Sequence, residues 1–154
     1  MTKERYSSYA KELRNGRPVI AQTVGDSMQP LLYEGKTQVV LLPLAHPLKI
    51  GDLPLYQRPT GQYVLHRVVK IENGACYTRG DNRYDLDLEK IEPEWVLGIT
   101  ESVVRKGKTI SVEEKRYKCY VAFWLGSYPV RKVLNRLGHI PSFLRRKLIG
   151  KNHS

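Results

Sequence analysis

The sequence predicts a mainly β domain of short antiparallel strands, opened by a short helix and closed by basic helices. Three observations carry this. Short runs rich in Val, Tyr, Leu and Ile alternate with tight-turn signals, the clearest being Asn73-Gly74. Helical spacing of apolar residues occurs only near the two ends. The charge is segregated: residues 1–114 hold 16 Lys+Arg against 15 Asp+Glu, whereas 115–154 hold 10 Lys+Arg and no acid. The chain of 154 residues is long enough for one domain with a real core. The reading divides it into a β domain at 1–114 and a basic amphipathic helical appendage at 115–154.

The elements follow in order. In Thr2–Asn15, Tyr6, Tyr9, Ala10 and Leu13 fall at helical spacing, and Asn15-Gly16 ends the helix. Pro18–Val24 reads as a strand and Gly25–Pro30 as a turn bounded by Gly and Pro. Thr37–Leu42 is a strong strand, Pro43–Leu48 a loop, and Gly51-Asp52 turns into a strand at Leu53–Gln57. Arg58–Gly61 is a hairpin turn into one strand over Gln62–Glu72, and Asn73-Gly74 returns it as Ala75–Arg79. Gly80–Asp87 is an acidic loop; Trp95–Val104 and Thr109–Val112 are strands around Lys106-Gly107. Val130, Val133, Leu134 and Leu137 recur at i, i+3, i+4, i+7 with Arg131, Lys132 and Arg136 among them, an amphipathic basic helix. Pro141 starts a second, carrying Phe143, Leu144, Leu148 and Ile149.

Composition excludes several classes. The longest apolar runs, Val39–Pro43 and Val121–Leu125, fall far short of the ~20 residues that span a bilayer. Met1–Arg17 is charged and has no apolar core segment, so no secretory signal is expected. Cys76 and Cys119 stand 43 positions apart without Cys or His at metal-ligand spacing, so neither a disulfide framework nor a metal or cofactor site is expected, and both read as buried or half-buried side chains. His46, His139 and His153 read as surface residues. A reducing, cytoplasmic setting fits, with peripheral membrane association open through the tail.

Three segments carry chemistry when taken together. Ser27 sits in Gly25-Asp26-Ser27-Met28-Gln29-Pro30-Leu31-Leu32; His66 lies in the apolar run Tyr63–Val69, followed by Arg67-Val68; and Gly80-Asp81-Asn82 precedes Asp85 and Asp87. Singly, each has a plain reading: a turn serine, a packed histidine, a solvated acidic loop. A serine hydroxyl is a poor nucleophile without a positioned base. A histidine with a pKa near 6.5 can be that base at neutral pH, and a carboxylate on its other nitrogen would fix the tautomer. Such a base predicts kcat/KM rising through about pH 6–7.

In this order, the three boxes resemble the type I signal peptidase superfamily over about residues 23–99. The nucleophile box of that family reads Gly-x-Ser-Met-x-Pro-x-Leu, and Gly51-Asp52 is similar to its Gly-Asp turn. The family's β domain is shared with the self-cleaving SOS repressors. The resemblance implies a serine endopeptidase that cleaves a leader or signal peptide after small residues. It implies Ser27 as nucleophile, its backbone N–H as an oxyanion donor, and Met28 and Pro30 at the substrate. His66 stands where the bacterial signal peptidases carry a lysine, a substitution similar to the endoplasmic-reticulum and archaeal branch. The resemblance makes Asp87 the better match to the orienting aspartate of that branch, with Asp81 second or holding the loop in shape.

Two departures accompany it. Gly25 stands where the family often has a Ser or Thr that helps bind the oxyanion, and the expected membrane tether is missing. The self-cleaving repressors carry lysine as base and an N-terminal DNA-binding domain; His66 and roughly twenty residues before the fold stand against that reading. An inactive β module that binds membrane or a partner through its tail is the other alternative. The basic tail, with Phe123, Trp124 and Phe143, is suited to an anionic membrane surface, where each Lys or Arg contributes about 1 kcal/mol. Packing on the domain is the bland alternative, and nucleic acid is the least favoured partner.

Overall fold

The computed structural model describes residues 3–84 and 87–138. Helix α1 (Lys3–Arg14) buries Ala10 and Leu13, with Tyr6 and Tyr9 packed beside them. The apolar residues lie on one helical face, as their spacing predicts. Strands β1 (Val19–Gln22) and β2 (Thr37–Leu42) pair antiparallel, and Val39 and Leu41 point inward on alternate positions of β2. Strand β3 (Pro54–Gln57) pairs with β4 (Tyr63–Leu65). Strands β5 (Arg67–Glu72), β6 (Ala75–Arg79) and β7 (Glu89–Ile91) make a separate three-stranded sheet. A short 3₁₀ turn at Pro93–Trp95 leads into β8 (Val96–Arg105), which pairs with β2, with β3 and, through Lys106-Gly107, with β9 (Lys108–Ser111). Helices α2 (Lys115–Gly126) and α3 (Tyr128–Gly138) follow.

Among the described residues strand exceeds helix, 34% against 28%, so the fold is mainly β. The large sheet runs β1-β2-β8-β3-β4 with β9 beside β8. It curls, and residues of its two end strands, β1 and β4, line one cavity. The main core joins both ends of the chain: Leu13 of α1, Leu41, Leu55 and Val103 of the sheet, and Tyr117 of α2. Among the described residues, no helix is long and apolar enough to cross a membrane.

Three sequence expectations change. The strand expected over Gln62–Glu72 is two strands, broken at His66, because the chain leaves one sheet there and enters the other. Strand β7 was not anticipated; it closes the acidic loop by pairing Thr78 with Glu89. Cys119 is exposed and Cys76 half-buried. Tyr117–Leu125 lies in α2, one of the C-terminal helices expected, and Tyr117 enters the main core. The second basic helix, from Pro141, lies outside the described residues, as do Phe143, His139 and His153.

Candidate active site

The turn after β1 places Ser27. Gly25 has φ +81°, a left-handed conformation that a Ser or Thr would adopt only with strain. That backbone demand accounts for the glycine two places before Ser27. Within the turn Gln29 N–H donates to Asp26 O (3.1 Å) and Leu32 N–H to Met28 O (2.9 Å). Ser27 is half-buried, and its N–H has no acceptor among the described residues.

The Gly80–Arg83 segment lies directly on this turn. Asn82 N–H donates to Ser27 O (2.8 Å), the Asn82 side-chain amide to Asp26 O (3.3 Å), and Arg83 Nη2 to Asp26 Oδ1 (2.8 Å). The approach is so close that a Cβ on Gly80 would stand 2.6 Å from Ser27 O and 3.0 Å from Ser27 Cβ. No larger residue fits unless one segment moves.

Asp81 turns away from the turn into the interior. Arg67 holds its carboxylate with two parallel hydrogen bonds, Nε to Oδ1 at 2.8 Å and Nη2 to Oδ2 at 2.7 Å. Both side chains are buried. Arg67 also donates to Gly51 O (3.0 Å) and Tyr117 Oη (3.3 Å), and Tyr120 Oη donates to Asp81 Oδ2 (3.4 Å). The Asp81 N–H reaches Met28 Sδ at 3.4 Å. Asp81 and Arg67 therefore tie together the acidic loop, the Ser27 turn and the Gly51-Asp52 turn around one buried guanidinium.

His66, the residue before Arg67, lines the same cavity as Ser27, a space of about 440 Å³. Met28, Leu55, Leu65 and Arg83 also line it. Among the described residues no hydrogen bond joins Ser27 Oγ to the imidazole. Burial lowers the His66 pKa to about 4; Glu89 and, less strongly, Asp81 pull it upward, while Arg58 and Arg83 push it down. The ring is thus neutral at pH 7, the form that can accept a proton.

The carboxylate with the largest field on His66 is Glu89, which the sequence reading did not single out. Arg58 grips it through Nε and Nη2, and Tyr56 Oη donates to it at 2.7 Å. Burial works to raise the Glu89 pKa, but the bonds from Arg58 and Tyr56 outweigh it and hold the group below its ordinary value. Glu89 lies 31 positions from Arg58 on a three-residue strand, so no local pattern marks it. Asp87 is exposed and absent from the cavity lining, as is Pro30; Met28 lines the cavity from a buried position. Among the described residues no three His, Cys, Asp or Glu side chains are grouped to hold a metal.

No protein-family model, curated protein or solved structure significantly matches the chain.

Proposed function

We propose that the protein is a serine endopeptidase in which Ser27 is the nucleophile and His66 the general base. The supporting observation is convergence: three segments far apart in sequence meet, with Ser27 and His66 on one cavity and the Gly80–Arg83 segment locked onto the nucleophile turn. The Ser27 Oγ–H bond would break as its oxygen attacks a peptide carbonyl, the proton passing to the neutral imidazole and then to the leaving amine. The Ser27 N–H, which has no acceptor among the described residues, supplies one donor for the oxyanion. Glu89 stabilises the imidazolium through its field as a positioning residue, a role that the resemblance assigned to Asp87 or Asp81. The cavity lies between end strands β1 and β4, whose free edges suit an extended peptide that adds as a strand. A leader or signal segment with small residues at the scissile bond is the substrate class the resemblance implies.

The test is incubation of the full chain with a diverse peptide library and mapping of new termini by mass spectrometry. Wild type should cut after small residues. Ser27→Ala and His66→Ala should each lower cleavage by about 10³-fold or more while keeping the thermal transition. Wild-type cleavage by Ser27→Ala, or none by the wild type, sinks the reading.

A further inference from the structure

Helix α3 attaches to the body through aromatic and polar contacts and leaves its apolar stripe outside. The Tyr128 ring stacks on Tyr84 (centroids 6.0 Å) and carries the Arg79 guanidinium 3.3 Å above its centre. Arg131 lies 3.6 Å over the Trp124 ring and donates to Tyr84 Oη (2.9 Å), Asp81 O (3.2 Å) and Trp124 O (2.6 Å). Trp124, expected from the sequence at a membrane, is half-buried and engaged with the body: it stacks on Tyr120 and donates Nε1–H to Asp81 O (3.2 Å). The stripe of Val130, Val133, Leu134 and Leu137 stays 51–62% exposed.

An amphipathic helix of a soluble body ordinarily turns its apolar stripe inward. Here stacking, cation–π contacts and hydrogen bonds hold the helix by another side, and among the described residues packing leaves the stripe exposed. Phe123 of α2 is also 67% exposed. Arg136 lies toward one edge of the stripe, Lys132 faces the Tyr128 ring instead, and residues 115–154 hold ten Lys+Arg and no acid.

We propose that this outward stripe, on a segment whose only charged side chains are cationic, is a docking face for an anionic lipid surface. The charge of the segment, ten Lys+Arg and no acid, is complementary to anionic headgroups, and the exposed apolar stripe matches the acyl boundary below them. Nucleic acid would use the cations and leave the apolar stripe without a role. This inference does not depend on the peptidase reading, because the test reads binding and no cleavage.

The full chain would be sedimented with vesicles of phosphatidylcholine alone and of phosphatidylcholine mixed with phosphatidylglycerol. Wild type should pellet with the mixed vesicles and barely with the neutral ones. Raising NaCl from 0.1 to 1 M, which shortens the Debye length from ~10 Å to ~3 Å, should remove only part of the binding. Val133→Ser/Leu137→Ser should lose the salt-resistant part, about tenfold or more in partition coefficient, with an unchanged thermal transition. Val130→Ser/Leu134→Ser serves as a second variant should the first not fold. Equal or absent pelleting on the two vesicle types overturns the proposal. So does wild-type pelleting by the stripe variants, which would move binding to residues 139–154, or displacement from vesicles by duplex DNA.

Discussion

Arg67 and Asp81 face each other through two hydrogen bonds of 2.8 and 2.7 Å, with side-chain exposures of 0% and 2%. Arg67 follows the candidate base directly, and Asp81 follows the glycine that touches Ser27. The pair therefore sets the separation of the two catalytic candidates, and its loss should be felt first as stability. Asp81→Asn leaves a buried guanidinium without its counter-charge and should cost about 3–5 kcal/mol. Replacing both charges should cost less than the sum of the two single changes. Urea unfolding of the three variants checks this. Full stability in Asp81→Asn together with a shifted kcat/KM pH profile would instead make Asp81 the group that orients His66.

Gly80→Ala probes the contact between loop and nucleophile. Its Cβ would meet Ser27 O at 2.6 Å, with backbone on both sides of the clash. The variant should lose about 1–3 kcal/mol and lose activity out of proportion, because relief of the clash displaces Ser27. Gly74→Ala, where a Cβ meets nothing within 4 Å, strains only a surface hairpin. Its cleavage rate should match the wild type, so equal activity loss in the two variants would remove the contact as the cause.

The pH dependence follows from His66. An unfolded histidine titrates near 6.5, whereas burial lowers the folded value to about 4. Between these values the unfolded chain binds the extra proton. Stability should therefore be fully present above about pH 6.5 and fall by roughly 1–3 kcal/mol toward pH 4. His66→Gln, which cannot titrate, should show a smaller drop in the same urea series. For kcat/KM of the free enzyme, the acidic limb should lie below pH 6, more acid than the 6–7 expected of an unperturbed histidine. A limb at 6–7 would mean that the ring is better solvated than its burial indicates.

Glu89 and Asp87 can be separated by substitution. Glu89 holds Arg58 and its charge favours the protonated His66, whereas Asp87 is exposed. Glu89→Gln should therefore lower kcat by about tenfold or more and move the acidic limb further down, since it removes the larger of two carboxylate effects, those of Glu89 and Asp81, that raise His66. Asp87→Asn should change kcat by less than about threefold. The opposite ranking would return the orienting role to Asp87.

Much of this molecule was written locally. Short-range rules place the Asn73-Gly74 and Lys106-Gly107 turns, whose residues all have positive φ, because only certain side chains tolerate that backbone. The period of Val130–Leu137 specifies a helix, and the apolar alternation of Thr37–Leu42 a strand. The order Ser27, His66, Gly80-Asp81-Asn82 marked the candidate site before any coordinates. What local sequence could not carry was the meeting of distant parts. The break at His66 arises from a change of sheet, which pairing partners impose and composition does not reveal. Arg67 reads as a basic neighbour in an apolar run, yet it is fully buried, because Asp81, Gly51 and Tyr117 converge on it from three other segments. Helix α3 carries the period of an inward-facing amphipathic helix, but its stripe faces out, because Arg131 and Tyr128 find better partners on the loop at Asp81–Tyr84. Periodicity sets which residues share a face; only the competition among tertiary contacts decides which face is buried.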